Sequence, residues 1–414
     1  MIDIERLARG IVFAGIDRET PLEELPQFGG YVLFGRDDPS VADVRRTTDG
    51  LRERTAPEPP PVIGIDQEGG RVVRLRRDVE PMPSMMALGA VDDLELTSRA
   101  GEQVAFDLRR AGCTIDFAPV LDLALRARNT AIGTRSLGAN PERVAELGAA
   151  FGRGLASGGI APCYKHFPGH GDTEDDSHVS VPSIDATDAA LRERDLTPFA
   201  RVAARAPAIM TGHVIVRAID ANDVASASSA VTDLLRSLDF GGVCITDCLT
   251  MAGAGVASEA AIRALYAGAD AVIVSRPVAA ADEVVAAVVR AVANGALTLQ
   301  RLTQAYDRVT RLRAAATEPI AVEAFPPHPG IGREIARRAV TLIRGLAHVD
   351  PLTSMAISFE GATVDGIAPD AFSRPSLRSE SPALAQATLP LDCDAGALAP
   401  VFERLTRSGR RPVV

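Results

Sequence analysis

The run Val62-Ile63-Gly64-Ile65-Asp66 has four apolar residues and ends at an acid, and it decides the fold because the chain repeats its pattern. Eight such runs fall within about the first 320 residues. They are Gly10–Ala14, Tyr31–Phe34, Val62–Asp66, Thr114–Val120, Pro162–His166, Ala208–His213, Val243–Asp247 and Ala271–Ser275. Short runs that are apolar throughout are typical of strands buried on both faces of a sheet.

Amphipathic stretches that read as helices separate the apolar runs. They include Val41–Glu53, Leu94–Ala111, Pro141–Ser157, Asp188–Ala204, Ser229–Leu238 and Ala279–Asn294. Buried strands that alternate with helices predict parallel pairing, and eight strand–helix units predict a closed barrel. We therefore expect the α/β class, as a (β/α)8 TIM-type barrel with a short C-terminal α/β extension. An open sheet with extra strands is the alternative.

The chain divides into three parts by composition. Residues 1–318 carry the repeating pattern and are expected to form the barrel, with a helix at Leu299–Ala315. A linker follows at 319–330 and contains four prolines. Residues 331–414 are expected to form a small or truncated α/β region, with helices at Ile331–Ile343 and Ala399–Arg407 and a strand at Thr353–Phe359.

The bulk composition excludes several classes of protein. A formal net charge of −10 argues against non-specific binding to nucleic acid, which needs a basic surface. No stretch has the 18 or so apolar residues that span a bilayer, and the N-terminus carries acids where a signal peptide carries bases. The five cysteines are irregularly spaced, as buried free thiols are. We therefore expect a cytoplasmic protein without membrane or nucleic-acid partners.

Lysine occurs once in the chain, at Lys165, although Lys and Arg together number 44. Lysine is normally among the commonest residues, so its loss elsewhere fits a drift from Lys to Arg in a GC-rich genome. A lysine that survives such drift marks a position where a compact ammonium is needed and a planar guanidinium does not fit. This singles out Lys165 before any motif is considered.

Ionisable side chains cluster at the ends of five successive predicted strands. They are Asp66, Glu68, Asp122, Lys165, His166, His213 and Asp247. The active site of a barrel of this type lies at the C-terminal ends of its strands. Any one of these residues can be a buried group satisfied by a cap or a helix, but seven together are hard to explain by packing alone.

The segment Lys165-His166-Phe167-Pro168-Gly169-His170-Gly171-Asp172 continues to Asp176-Ser177-His178 and is the most informative in the chain. Asp176 lies two residues before His178, where a carboxylate can orient an imidazole for general acid/base catalysis. The alternatives are that His166 and His170 only hold the loop, or that the histidines and acids bind a metal. A metal beside the Lys165 ammonium is electrostatically costly, and we expect none.

Asp247 ends the apolar run Val243–Asp247, where a carboxylate pays a desolvation cost unless it has partners or a function. A nucleophile must stay ionised, and Lys165 and Arg135 are cations that can keep its pKa low. The alternative is a buried aspartate that caps the next helix. Asp66, before a double glycine, is placed to accept hydrogen bonds from two sugar hydroxyls.

Taken together, these segments resemble glycoside hydrolase family 3, and within it the β-N-acetylglucosaminidases. The resemblance extends over about residues 1–320, and its most specific part is Lys165–Asp172 with Asp176-Ser177-His178. It implies that Asp247 is the nucleophile of a retaining mechanism and that His178 is the general acid/base, with Asp176 as its partner. It implies further that the residues holding the sugar are Asp66, Arg135, Lys165, His166, His213 and Met251.

The resemblance also implies a substrate, a terminal β-linked N-acetylglucosamine, in particular on muropeptide fragments released during cell-wall recycling. No cofactor is expected, and the chain is expected to be a monomer or a weak dimer. Three alternatives remain open at this point. They are a sugar-binding homologue without activity, an enzyme that transfers the sugar to phosphate instead of water, and a metal-dependent hydrolase.

Overall fold

Eight parallel strands form a closed barrel in the computed structural model of this chain. They are β1 Val12–Ile16, β2 Gly30–Leu33, β3 Val62–Ile65, β4 Ile115–Asp116, β5 Ala161–Phe167, β6 Ala208–Thr211, β7 Val243–Cys248 and β8 Ala271–Val274. The structure describes residues 2–16, 20–34, 39–55, 59–126, 129–173, 181–275, 277–315 and 327–339, together with three strands nearer the C-terminus. Strands β1 to β8 follow one another around the barrel in chain order.

Closure is seen at β1, which pairs with strands on both of its sides. Phe13 lies opposite Gly30 of β2, and Val12 lies opposite Val272 of β8, both in parallel register. The predicted barrel is therefore confirmed, and the open sheet is excluded. Strand β4 is shorter than the predicted Thr114–Val120 because Pro119 has no N–H to donate to the ladder, although Val120 still bridges to Lys165 of β5.

Helices surround the barrel and connect its strands. They are α1 Ile4–Gly10, α2 Val41–Thr55, α3 Met85–Val91, α4 Leu94–Arg110, α5 Pro141–Ser157, α6 Asp188–Ala190, α7 Thr197–Val202, α8 Ser229–Ser237, α9 Ala257–Ala267, α10 Val278–Ala293, α11 Leu299–Ala315 and α12 Ile331–Arg338. None of the helices described is long and apolar enough to cross a membrane.

The helix predicted at Asp188–Ala204 is interrupted. A π-helical turn, Leu191–Asp195, separates α6 from α7, and a 3-10 turn follows at Ala203–Arg205. Pro198 lies in the first turn of α7, where a backbone N–H would have no partner within the helix. In an uninterrupted helix, the same proline would remove one backbone hydrogen bond. The proline therefore explains why a new helix begins at this point.

Helices α4 and α5 pack closely against each other because glycines line their contact. A side chain at Gly101 would meet the carbonyl oxygen of Phe151, and one at Gly154 would meet that of Ser98. The Asn140 side chain caps α5 by accepting the N–H of Arg143 at 2.9 Å, directly before Pro141. These features hold the connection between β4 and β5 tightly against the barrel.

A second part of the chain, residues 340–414, forms a separate compact unit. Its described strands are β9 Ser354–Glu360, β10 Ala385–Pro390 and β11 Arg411–Val413, which form a parallel sheet in the order β10-β9-β11. The first unit extends to Ala339, so α12 belongs with the barrel, whereas the sequence assigned it to the C-terminal region. In α12 the Gly332 N–H donates to Glu80, 3.2 Å away. The helix predicted at Ala399–Arg407 lies outside the described residues.

Candidate active site

The ionisable residues singled out in the sequence meet at the C-terminal ends of the barrel strands. Asp66 follows β3, Lys165 and His166 lie in β5, His213 follows β6, and Asp247 lies near the end of β7. Because the strands are parallel and the barrel is closed, these ends converge on one face of the barrel.

Lys165 is the centre of a buried charge cluster. Its Nζ lies 2.7 Å from Asp66 Oδ1 and 2.7 Å from Glu68 Oε1, and its side chain is only 3% exposed. Burial is the largest influence on the ammonium and lowers its pKa, but the two carboxylates outweigh it and raise the pKa above the usual range. Lys165 is therefore a fixed cation at neutral pH.

Glu68 connects Lys165 to Arg135, although the sequence gave it no role in binding or catalysis. Arg135 binds it with two N–H groups, Nε to Oε2 at 2.8 Å and Nη2 to Oε1 at 2.7 Å. Burial works to raise the Glu68 pKa, but these two cations hold it well below the usual range. The signal in the sequence was the position of Glu68 among the acids at the strand ends, without any indication of its partner.

Asp66 is held by a second cation on its other oxygen. Arg74 Nη2 lies 3.4 Å from Asp66 Oδ2, opposite the Lys165 contact to Oδ1. Burial raises the pKa of Asp66, but Lys165 and Arg74 together leave it below the usual value. The carboxylate is still 17% exposed, so it is fixed in position and open to a ligand.

The turn after Asp66 depends on glycines and on Gln67. Gly69 and Gly70 have φ angles of +94° and +57°, which residues other than glycine rarely adopt. The Gln67 side chain ties the turn together, since its Oε1 accepts the N–H groups of Arg74 and Leu75, each at 3.0 Å. This arrangement returns the chain so that Glu68 and Arg74 flank Asp66.

Asp122 organises the segment that follows Lys165; the sequence placed it at a strand end but gave it no role in binding or catalysis. Its Oδ2 lies 2.6 Å from His166 Nδ1, and its Oδ1 accepts the His170 N–H at 2.7 Å. A carboxylate only accepts, so His166 Nδ1 donates. The Arg135 Nη2 lies 3.4 Å from His166 Nε2, and because a guanidinium only donates, this contact fits Nε2 as an acceptor.

The loop after His166 is fixed by buried polar contacts. Asn129 Nδ2 donates to the carbonyl oxygen of His170 at 2.9 Å, and His170 Nδ1 lies 3.0 Å from the Thr173 hydroxyl. Asp172 is held by Arg126 Nε at 2.6 Å and Arg194 Nη2 at 2.7 Å. His170 and Asp172 therefore have structural roles in holding this loop.

Asp247 lies in β7, four strands around the closed barrel from β3, which Asp66 follows. Its Oδ1 accepts the Cys248 N–H at 2.7 Å. Burial raises the pKa of the carboxyl, but the imidazoles of His166 and His213, this N–H and Lys165 outweigh it and lower the pKa. Asp247 is therefore ionised at neutral pH. Lys165 is among the groups that lower this pKa, as the sequence suggested, whereas Arg135 is not among the largest of them.

His213 supports the Asp247 turn. Its Nε2 lies 3.0 Å from the Cys248 carbonyl oxygen and its Nδ1 lies 2.7 Å from the Ser226 hydroxyl. A carbonyl only accepts, so Nε2 carries the proton. Burial is the largest influence on His213 and lowers its pKa, so the ring is neutral at neutral pH and accepts from Ser226.

The remaining predicted residues are less well connected. Met251 lies half-buried in the turn after β7, where its N–H donates to the Cys248 carbonyl oxygen at 3.1 Å. Asp176 and His178 lie outside the described residues. Within the part of the barrel that the structure describes, no group of three His, Cys, Asp or Glu side chains is arranged to hold a metal ion.

The described geometry combines two chemical capacities. Asp66 is a fixed carboxylate that can accept hydrogen bonds from hydroxyl groups, with the Lys165 ammonium beside it as a donor. Asp247 is an ionised carboxylate that needs no deprotonation before it attacks an electrophilic carbon. A polyhydroxylated substrate that reacts at one carbon fits this combination.

Comparison with known proteins points in the same direction. The family model described as the N-terminal domain of glycosyl hydrolase family 3 matches residues 18–312. A β-hexosaminidase from Pseudomonas aeruginosa is 38% identical over 282 residues, which are 67% of this chain and 84% of the relative. One from Chromobacterium violaceum is 37% identical over 286 residues, covering 66% of this chain and 79% of the relative.

Two solved structures extend the similarity to the fold. A family 3 β-N-acetylglucosaminidase from Paenibacillus sp. str. FPU-7 superposes with a TM-score of 0.86 at 29% identity, covering 98% of this chain and 83% of that one. NagZ from Neisseria gonorrhoeae, solved in complex with N-trifluoroacetyl-D-glucosamine, superposes with a TM-score of 0.65 at 30% identity, covering 80% of this chain and 98% of that one.

Proposed function

The chain belongs to glycosyl hydrolase family 3 and is a glycoside hydrolase, and on this basis we propose that it is a retaining exo-β-N-acetylglucosaminidase. The observation that carries the proposal is Asp247, an ionised carboxylate at the end of β7, on the same barrel face as the Asp66–Lys165 pair. The relatives described above as β-hexosaminidases and a β-N-acetylglucosaminidase support the choice of sugar.

In the proposed reaction, Asp247 attacks the anomeric carbon while the bond to the leaving oxygen breaks and that oxygen takes a proton from His178. The product of this step is a covalent glycosyl-enzyme. Water then attacks the same carbon, His178 removes a proton from it, and the bond to Asp247 breaks. Two inversions at one carbon leave the configuration retained. The roles of His178 and Asp176 rest on the sequence motif alone.

The residues that hold the sugar have a separate task in this scheme. Lys165, Arg135, Asp66 and His166 hold the sugar hydroxyls and the N-acetyl group, and His213 lines the pocket beside them. Met251 is proposed to line the same pocket. Binding groups that are fixed by their own ion pairs lose little entropy when the sugar enters, so they orient it well.

The finer parts of the proposal concern the natural substrate and its setting. We propose muropeptide fragments of the cell wall that carry a terminal β-linked N-acetylglucosamine, handled in the cytoplasm by a monomer or weak dimer. No cofactor takes part in the proposed steps.

A panel of 4-nitrophenyl β-glycosides of N-acetylglucosamine, glucose and xylose tests the proposal, with each reaction run with and without phosphate. The N-acetylglucosaminide is expected to react at least about 100-fold faster by kcat/KM, because a site that hydrogen-bonds a substrate group rejects analogues without it. Free N-acetylglucosamine as the first product supports hydrolysis, and its 1-phosphate would show phosphate as the acceptor instead. Equal rates for all three sugars would contradict the assignment, and sugar binding without turnover would show an inactive homologue.

A further inference from the structure

Asp116, at the end of β4, is a buried carboxyl that the proposed mechanism does not use. It is fully buried, and its Oδ1 accepts the N–H of Gln67 at 2.9 Å. Its Oδ2 has no hydrogen-bond partner among the residues that the structure describes. Gln67 stands between Asp66 and Glu68, so Asp116 fixes the backbone that carries both acids of the charge cluster.

The surroundings of Asp116 disfavour a negative charge. The acids Asp66 and Glu68 face it from the turn after β3, and Lys165 faces it from β5. The thiols of Cys113 and Cys163 lie on the remaining neighbouring segments. Lys165, the cation that faces Asp116, is already bound at 2.7 Å to each of the other two acids.

The acids of the charge cluster have their cations without Asp116. Asp66 is paired with Lys165 and Arg74, Glu68 is paired with Lys165 and Arg135, and Asp116 takes part in none of the ion pairs among the described residues. A third carboxylate here would be a buried charge with one hydrogen bond and an unpaired oxygen, whereas a neutral carboxyl leaves only a neutral polar group unpaired. Burial is the largest influence on the pKa of Asp116 and raises it to about 8; the Gln67 N–H and Lys165 lower it in part, and the nearby acids Asp66 and Glu68 add to the rise.

We propose that Asp116 is a positioning residue that holds Asp66 and Glu68 in place for the sugar as a neutral carboxyl, and that its ionisation sets an alkaline limit on substrate binding. Once ionised, Asp116 is a third acid that competes for the Lys165 ammonium, and the hold of Lys165 on Asp66 weakens. The inference rests on the proposed function in one respect, namely that Asp66 and Lys165 hold the sugar.

The test compares wild type with Asp116→Asn and Asp116→Ala. Asparagine keeps an oxygen that accepts the Gln67 N–H and stays neutral at every pH, whereas alanine removes the acceptor. KM for the nitrophenyl N-acetylglucosaminide and the inhibition constant of free N-acetylglucosamine are measured from about pH 5 to about pH 10. The inhibition constant reports binding alone, so a change that appears in it as well as in KM cannot come from a general acid that titrates and changes only the chemical steps.

The expected result has three parts. Below about pH 7, Asp116→Asn matches wild type within about twofold and Asp116→Ala has a KM at least about fivefold higher, because a buried N–H is left unpaired. Above about pH 8, KM of wild type rises by up to about tenfold per pH unit while that of Asp116→Asn stays flat. An alkaline rise in Asp116→Asn equal to that of wild type, or an alanine variant equal to the asparagine variant, would overturn the inference.

An infrared difference spectrum between wild type and Asp116→Asn gives a readout that needs no activity. A carbonyl band of a protonated carboxyl is expected in wild type at about pH 6 and is expected to vanish as the pH rises through about 8. Absence of that band would refute the neutral carboxyl. If wild type fails to cleave the N-acetylglucosaminide, the proposed function fails by itself, and the spectrum still decides the state of Asp116.

Discussion

Substituting Glu68 by glutamine removes one negative charge from the centre of the charge cluster with little change of shape. Glu68 is 1% exposed and accepts from two N–H groups of Arg135 and from Lys165, at 2.7 to 2.8 Å. In the variant, Lys165 keeps Asp66, and one amide oxygen replaces the two carboxylate oxygens that received three donors. Arg135 otherwise keeps the carbonyl oxygen of Ala131 at 2.9 Å and the long contact to His166. A buried guanidinium is then left without a carboxylate.

The loss in the free energy of unfolding follows from this geometry. Breaking a buried ion pair by removing one partner costs about 3–5 kcal/mol, because a buried charge stays uncompensated. The barrel unit spans Met1–Ala339, and with an unfolding entropy of about 2.1 cal/mol/K per residue this corresponds to a drop in Tm of about 4–7 °C. The same variant is expected to raise KM at least about tenfold, since Lys165 and Arg135 lose the positions in which they meet the sugar.

Asp270→Asn is the matched control for loss of stability. Asp270 is fully buried at the start of β8, at the other end of the barrel, and binds Arg301 at 2.7 Å and Arg308 at 3.0 Å, with Arg236 at 2.5 Å. Its substitution is expected to lower Tm by a similar amount while kcat and KM of the folded enzyme stay unchanged. Differential scanning calorimetry and steady-state kinetics on the three proteins supply both quantities.

The pH dependence of stability provides a further check on Glu68. Burial opposes the ionised form of Glu68, but Arg135 and Lys165 hold its pKa below that of the unfolded chain. A depressed carboxyl pKa contributes stability that is present above the unfolded value of about 4.5 and is lost as the pH falls through the folded value. The difference in Tm between wild type and Glu68→Gln is therefore expected to have its full size at neutral pH and to become smaller only below about pH 4.5. A gap under about 1 °C at neutral pH with unchanged KM would refute the reasoning.

Two other predictions concern the support of the site and the buried thiols. Asp122→Asn weakens the hydrogen bond to His166 Nδ1. Steady-state kinetics should show kcat/KM about 10–100-fold lower, since a charge-assisted hydrogen bond contributes about 1.5–3 kcal/mol. An unchanged kcat/KM would refute the role given to Asp122. Burial raises the pKa of Cys113 and Cys244 to about 12 and that of Cys163 as well, so mass spectrometry after iodoacetamide at neutral pH should find these thiols unlabelled until the protein unfolds. Labelling of Cys163 in the folded protein would contradict the closed barrel interior.

The architecture was accessible from the sequence because its signals are local. Seven of the eight barrel strands have four to seven residues and lie within two residues of their predicted bounds, whereas β4 has only two residues. Helix α9, Ala257–Ala267, was not predicted. Its buried residues do recur with helical spacing, at Ala260, Ala261, Ala264 and Leu265, but most of them are alanines, which give a weak apolar signal in the sequence.

The site was accessible in part, for a different reason. Ends of parallel strands must converge, so Asp66, Lys165 and Asp247 were placed on one face by topology alone. Which side chains bind each other depends on turns after the strands, and a turn such as the one at Gly69 leaves no periodic trace in the sequence. The pairing of Glu68 with Arg135, and the contact of Asp116 with the Gln67 N–H, therefore could not be inferred from the sequence.

The covalent role of Asp247 is the central claim, and rescue of Asp247→Ala by azide tests it most directly. The variant is expected to lose at least about 10³-fold in kcat with the nitrophenyl N-acetylglucosaminide, while Asp223→Ala, which changes a surface aspartate paired with Arg263, keeps full activity. Added azide should restore turnover of Asp247→Ala by attacking the anomeric carbon in the space of the lost carboxylate, and the product should be the α-glycosyl azide. A variant that still forms free sugar at the wild-type rate, or azide rescue that yields the β-azide, would contradict Asp247 as the nucleophile.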